Sequence, residues 1–90
     1  MSHDVFKDLG FNEGEAENLK FRAMIMSAIA DYIRSERLTQ DEAADLLNVS
    51  QPRVSDLVNG RIEKFSLDKL VTMITRLGMS LELRIDRHAA

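Results

Sequence analysis

Apolar residues recur at every third or fourth position through four stretches of the chain, which predicts four amphipathic helices. The first and longest runs from Glu13 to about Ser35, and its apolar stripe comprises Ala16, Leu19, Ala23, Met26, Ile29 or Ala30, and Ile33. The other three are shorter: Gln40 to Leu47, Gln51 to about Val58, and a helix that begins after Ser66 and stops at Gly78. The pattern therefore predicts a mostly α-helical chain.

Residues that commonly cap helices stand at the ends of the two short central helices. Thr39 and Glu42 have the spacing of a capping box. Ser50 precedes a helix that has Pro52 in its first turn, where a missing N–H costs nothing. Asn48 suits the left-handed residue that ends a helix. Two short helices joined by a three-residue turn have the geometry of a helix-turn-helix unit.

After Gly78 the period of the apolar residues changes to two, which predicts a strand with one buried face. The alternating apolar residues are Met79, Leu81, Leu83 and Ile85. The sequence predicts no second strand, and a lone strand leaves its backbone groups unpaired. We therefore expect the strand to pair with the same strand of a second copy in a two-fold homodimer.

The chain divides into four segments that are not separated by a Pro-, Gly- or Ser-rich linker. They are an apolar arm (1–12), a helix-turn-helix domain (13–78), a dimerising strand (79–87) and a tail (88–90). The arm is more apolar than a disordered tail requires, through Val5, Phe6, Leu9 and Phe11. It either folds back onto its own domain or docks on a partner, and the sequence does not decide between the two.

Composition narrows the function classes. Ninety residues, 44% of them hydrophobic and 30% charged, suit one small folded domain. The chain has no cysteine, and its two histidines, His3 and His88, lie near its ends, so the usual general base and the usual zinc clusters are missing. No apolar run approaches the roughly 18 residues that span a bilayer. We expect a cytoplasmic, non-enzymatic domain without a metal or other cofactor.

The distribution of charge limits where a polyanion could bind. The net charge of −3 argues weakly against nucleic acid, because DNA-binding domains are usually basic. Residues 1–50, however, carry five Lys or Arg against ten Asp or Glu, whereas residues 51–90 carry seven against five. The net charges are therefore −5 and +2, which places any DNA-binding surface in the second half.

The residues around the predicted turn resemble the XRE/Cro-type, lambda-repressor-like helix-turn-helix family. The resemblance covers about residues 20–78 and rests on Leu38-Thr39-Gln40, Ala43-Ala44, Leu47, Val49-Ser50-Gln51, Val54-Ser55 and Asn59-Gly60. Residues 49–57 and 64–67 are also similar to the HigA-like antitoxin branch. In one departure, Asn48 stands where the family often has Gly. The resemblance implies a lambda-repressor-like bundle of four to five helices, to which the C-terminal strand and its dimer are added.

This resemblance implies a sequence-specific repressor that binds an inverted-repeat operator in double-stranded DNA. The HigA-like branch further implies that the protein neutralises a cognate RNase toxin of the HigB/RelE type and represses their shared operon. Two alternatives stay open. One is a protein-interaction module whose helix-turn-helix has lost DNA contact, and the other is a phage-type repressor without a toxin partner.

The resemblance also assigns candidate DNA-contacting residues. It implies base contacts for Gln51, Pro52, Arg53 and Ser55. An amide can pair with adenine and a guanidinium with guanine, each through two hydrogen bonds. The candidate contacts to the DNA backbone are Thr39, Gln40, Ser50, Asn59, Arg61 and Lys64. The competing interpretation is that these are ordinary solvated residues on helix and turn surfaces.

Two further features have a structural interpretation beside a functional one. Asp56 is an unexpected residue on a reading helix, since a carboxylate repels phosphates. It is a solvated surface residue, an acceptor for a cytosine amino group or a partner that holds Arg53 in place. The methionines at positions 24, 26, 73 and 79 are expected to fill the core.

Overall fold

The computed structural model describes residues 9–87. They contain four α-helices and one turn of 3₁₀ helix at Ile62–Lys64; the α-helices are α1 (Glu13–Ser35), α2 (Gln40–Leu47), α3 (Gln51–Val58) and α4 (Leu67–Arg76). The mostly helical fold and the four predicted helices are confirmed. The tail at 88–90, both histidines and the arm residues Val5 and Phe6 lie outside the described residues.

Side-chain caps define where the helices begin. The Thr39 backbone N–H donates to Glu42 Oε1 at 2.8 Å, and the Glu42 N–H donates to Thr39 Oγ1 at 3.1 Å, which confirms the predicted capping box. Asn12 and Glu15 form a second capping box at the start of α1. Its Asn-x-x-Glu spacing is visible in the sequence but was missed. A lost cap of this kind costs about 1 kcal/mol of stability.

The core lies where α1 packs against α3 and α4, with α2 packed on α3 and α4. Its largest fully buried side chains are Ile29, Leu47, Val54, Leu57 and Leu70. Complete burial of such a side chain stabilises the fold by about 1.5–3 kcal/mol. Two of the five belong to α3, so this eight-residue helix is held firmly on one face and leaves its other face to solvent.

The expectation that all four of these methionines fill the core is wrong for Met24. Met26 and Met73 are buried and Met79 is half-buried, but Met24 is 58% exposed. Successive helical residues are about 100° apart, so the burial of Ile25 and Ile29 turns Met24 to the opposite face of α1. The predicted stripe does not include Ile25, although this residue is buried, with only 6% of its surface exposed.

The C-terminal segment 79–87 forms neither helix nor strand, and the described residues contain no strand. A strand is defined by hydrogen bonds to a partner strand, which a single copy of this chain does not supply over residues 9–87. Leu81, Leu83 and Ile85 are 46%, 72% and 84% exposed. The strand and its pairing across a dimer therefore stay predictions.

Candidate nucleic-acid interface

The turn between α2 and α3 sets the angle between the two helices. Asn48 adopts the predicted left-handed conformation, with φ 58° and ψ 46°. The Val49 N–H donates to the Ala44 carbonyl at 3.0 Å, which closes the end of α2. Ser50 then caps α3, its Oγ accepting from the Arg53 N–H at 3.3 Å. Short-range hydrogen bonds therefore engage each residue of this turn.

The start of α3 presents polar side chains to solvent. Gln51 and Pro52 are exposed in its first turn, whereas Val54 and Leu57 bury the opposite side of the helix. Ser55, one turn further on, is half-buried and lies beside Asn59, whose Nδ2 is 3.4 Å from the Ser55 Oγ. The exposed side of α3 therefore carries three of the four predicted base-reading residues, in a helix that is anchored behind them.

Arg53, the fourth predicted base-reading residue, is folded back onto its own protein. Its Nη1 donates to the Lys64 carbonyl at 3.2 Å, and its guanidinium carbon lies 5.7 Å from the centre of the Phe65 ring. The Phe65 side chain is buried, so it forms a fixed platform beneath the guanidinium. The Arg53 side chain is still 42% exposed, and one edge of it faces solvent.

Asp56 lies between two cations that were predicted to contact DNA. Its Oδ2 is 3.6 Å from Arg53 Nη1, and its Oδ1 is 3.8 Å from Arg61 Nε. The interpretation that Asp56 holds Arg53 in place is therefore the one that this geometry favours. The second partner, Arg61, could not be foreseen, because it follows the turn at the end of α3.

The candidate backbone-contacting residues occupy three separate places. Thr39 and Gln40 lie at the exposed start of α2, where the Thr39 hydroxyl is already engaged as a cap. Asn59, Arg61 and Lys64 are exposed between α3 and α4. Ser50 is engaged as the cap of α3 and lies close to the reading helix. The structure thus groups three of these residues after α3 and leaves two at the start of α2.

The segment between α3 and α4 is held from two sides by arginines. Nη1 of Arg22, in α1, donates to the carbonyls of Ile62 and Phe65 at 3.2 and 3.0 Å. The Arg53 guanidinium, on α3, donates a hydrogen bond to the intervening Lys64 carbonyl. Arg22 was not singled out in the sequence, since nothing local to residue 22 indicates a partner 40 residues away. These bonds fix the backbone that carries Lys64.

An open groove runs beside this segment, between the α2–α3 turn and α4. Lys64, Lys69 and Arg76 lie along it with Arg53, and Asp68 is the one carboxylate among the described residues that line it. Arg76 Nε also donates to the Leu46 carbonyl at 3.1 Å, tying α4 to the end of α2. The positive charge expected in the second half of the sequence is therefore concentrated next to α3.

Neither a cluster of metal-ligating side chains nor a membrane-spanning helix occurs among the described residues. Within residues 9–87, no three His, Cys, Asp or Glu side chains come together in a way that could hold a metal ion. No helix in the same part of the chain has both the length and the apolar character to cross a membrane.

Comparisons with known proteins agree with this geometry. The model of a family described as a helix-turn-helix domain matches residues 5–86. The chain is also similar to a solved structure assigned to the XRE family of transcriptional regulators, with a TM-score of 0.75 and 33% identity. That match covers 84% of this chain and 91% of the other. No curated protein matches the sequence. The XRE-type resemblance is thereby confirmed, while the HigA-like branch stays a prediction.

Proposed function

The chain belongs to the helix-turn-helix domain family, and from this premise we propose that it is a sequence-specific DNA-binding transcriptional repressor. The observation that carries the proposal is the start of α3. Gln51 and Pro52 are exposed there on a helix that Val54 and Leu57 anchor in the core. A helix held in this way can enter the major groove, where side chains with donors and acceptors read the base edges.

The cations beside α3 support the same function. Arg61 and Lys64 are exposed on a segment whose backbone Arg22 fixes, so their positions relative to the reading helix are set before DNA arrives. Contacts to phosphates position a protein on the duplex, and contacts to bases give the sequence preference. In this proposal Arg53 reaches a guanine only by leaving Phe65 and the Lys64 carbonyl.

We also propose that the repressor is a homodimer paired through its C-terminal segment. Leu81, Leu83 and Ile85 alternate with polar residues and are exposed in the single chain. A second copy, related by a two-fold axis, would pair the backbone groups of the segment and cover these side chains. Two reading helices related in this way match an inverted repeat in the operator.

The antitoxin role is a narrower proposal. It rests on the similarity of residues 49–57 and 64–67 to the HigA-like branch, and on the surface near the start of α1. Leu9 and Phe11 are 69% and 40% exposed there, beside the acidic first turn of α1. Apolar anchors with a carboxylate rim suit a basic partner such as an RNase toxin. A toxin-like reading frame beside the gene is the quickest check.

The proposal includes neither an enzymatic activity nor a cofactor, and it includes a cytoplasmic location because a repressor acts on chromosomal DNA. It is tested by footprinting on the DNA upstream of the protein's own coding region. We expect protection of an inverted repeat at protein concentrations that leave random DNA unprotected. The absence of protection on any DNA would instead favour the interaction module, whose helix-turn-helix has lost DNA contact.

A further inference from the structure

We propose that Asp56 is a specificity-determining residue, which orients Arg53 and Arg61 for the operator and weakens binding to all other DNA. The inference rests on the proposed DNA-binding function. It begins from an anomaly, a carboxylate on the helix that is to lie against a polyanion.

The geometry gives Asp56 two cationic partners and one carboxylate oxygen for each. Oδ2 is 3.6 Å from Arg53 Nη1, and Oδ1 is 3.8 Å from Arg61 Nε. The Asp56 side chain is only 26% exposed, whereas its partners are 42% and 59% exposed. The Asp56 carboxylate is therefore less accessible to solvent than either of the guanidinium groups that it pairs with.

The ion pairs of Asp56 with Arg53 and Arg61 should affect non-specific DNA binding and operator binding differently. Non-specific affinity comes almost entirely from cations that neutralise phosphates. A carboxylate that pairs with Arg53 and Arg61 lowers their attraction for phosphates, and its own charge repels them. Random DNA offers no base contact that compensates for either effect.

The ion pairs of Asp56 can persist in the complex with the operator. The contact with Asp56 restricts the rotamers of Arg61, so less side-chain entropy is lost when Arg61 contacts its target. Arg53 can keep its ion pair with Asp56 after it has left Phe65 and the Lys64 carbonyl. A cytosine amino group is a further donor that Asp56 can accept from in the major groove. Asp56 thus penalises random DNA and not the operator, and this difference is what specificity requires.

Helix stabilisation is the competing explanation for the Asp56–Arg53 pair. Ion pairs at this spacing stabilise a helix only weakly. Moreover, Arg61 lies beyond the end of α3, so its contact with Asp56 does not support the helix in this way. A purely stabilising role predicts no change in the ratio of the two DNA affinities.

The experiment compares the full chain with its Asp56→Asn and Glu63→Gln variants. Both substitutions remove one negative charge. Glu63 is the matched control, because it is exposed and lies nearby in the sequence, between α3 and α4. Kd is measured by fluorescence anisotropy on a random-sequence duplex and on the operator found by footprinting, over a range of salt concentrations. Circular dichroism verifies that each variant is folded.

We expect Asp56→Asn to tighten random-sequence binding by about tenfold, as release of two surface ion pairs would allow. Its salt slope on that DNA should steepen by about one to two units, because each freed cation adds about 0.9. Operator affinity should stay the same or fall, so the ratio of the affinities declines. Glu63→Gln should change both affinities by the same small factor.

Equal effects of the two variants on the ratio would overturn the inference. If the wild-type chain showed no preference for any DNA, the proposed function itself would fail. Failure of the proposed function can thus be told apart from failure of the inference about Asp56. Should Asp56→Asn lose helicity, the same measurements on Arg61→Gln decide. Arg61 is one of the two cations that Asp56 orients for the operator, so its loss should weaken operator binding more than random binding, whereas loss of a general phosphate contact would weaken both alike.

Discussion

Nη1 of Arg22, in the middle of α1, lies 3.0 Å from the carbonyl oxygen of Phe65, to which it donates a hydrogen bond across 43 residues of sequence. The same nitrogen donates to the Ile62 carbonyl, and Arg22 Nε donates to Asn18 Oδ1 at 2.7 Å. The longest helix is thereby fastened to the segment that carries the candidate phosphate contacts. The position of Lys64 thus depends on α1 as well as on α3.

Replacing Arg22 should therefore destabilise the fold. In Arg22→Met the half-buried Ile62 and Phe65 carbonyls lose a charged donor, and hydrogen bonds to charged groups contribute about 1.5–3 kcal/mol. We expect the free energy of unfolding in urea to fall by about that amount. Arg34→Met is the matched control, because Arg34 is an exposed residue of α1 that pairs only locally with Asp31. A change in that control should stay within about 0.5 kcal/mol.

Among the described residues 9–87, two that are not glycine adopt the left-handed conformation, and they should respond differently to glycine. Arg37 has φ 53° and Asn48 has φ 58°. A residue with a long side chain is strained there by about 1–2 kcal/mol, whereas Asn tolerates the region. We expect Arg37→Gly to raise the thermal midpoint and Asn48→Gly to leave it nearly unchanged. A fall in the midpoint of Arg37→Gly would show that the Arg37 side chain makes a stabilising contact.

The predicted dimer depends on one face of the C-terminal segment. Leu83→Asp places a charge among the exposed apolar residues, and desolvating that charge in the interface should produce a monomer. Ser80→Asp adds the same charge on the other face and should leave a dimer. Light scattering at micromolar concentration measures both, together with a chain that ends at Gly78. A monomeric wild-type protein would contradict the pairing.

Arg53 and Lys64 should affect DNA binding in different ways. Arg53→Ala should cost about 1–3 kcal/mol on the operator and relax the preference at one base pair of each half-site. Lys64→Ala should weaken binding to all sequences alike and flatten the salt slope by about one unit. Titrations on the operator and on single-base variants, at several salt concentrations, separate the two. An intact base preference in Arg53→Ala would remove Arg53 from the reading residues.

The antitoxin proposal predicts that toxin binding and DNA binding are separable. Deletion of residues 1–11 removes Leu9 and Phe11 but leaves the α1 cap at Asn12 and the reading helix in place. We expect the shortened chain to lose toxin binding in a pull-down while its operator affinity and melting temperature change little. A large fall in melting temperature would show that the arm packs on its own domain instead.

Local features were predictable because they depend on neighbouring residues. The Thr39 capping box, the left-handed Asn48 and the start of α3 after Ser50 follow from hydrogen bonds that span only a few positions. The apolar period of α1 likewise predicted that Ala16, Met26 and Ile33 face the core. The helix-turn-helix unit could therefore be recognised from the sequence alone.

Contacts between distant segments could not be predicted in the same way. The bond between Arg22 and the Phe65 carbonyl, and the stacking of Arg53 over the Phe65 ring, arise only when α1, α3 and the following turn are packed together. The exposure of Met24 depends on which residues of α1 face its neighbours. These features depend on the tertiary arrangement, about which a periodic pattern along one helix carries no information.

The central claim is that the exposed start of α3 reads DNA sequence, and selection from a pool of randomised duplexes tests it most directly. The wild-type chain should enrich an inverted repeat. Gln51→Ala should enrich a repeat that has lost its preference at one position of each half-site, while the spacing of the half-sites is retained. If the wild-type chain enriched no sequence, or if Gln51→Ala enriched the same repeat with the same preferences, the claim would be contradicted.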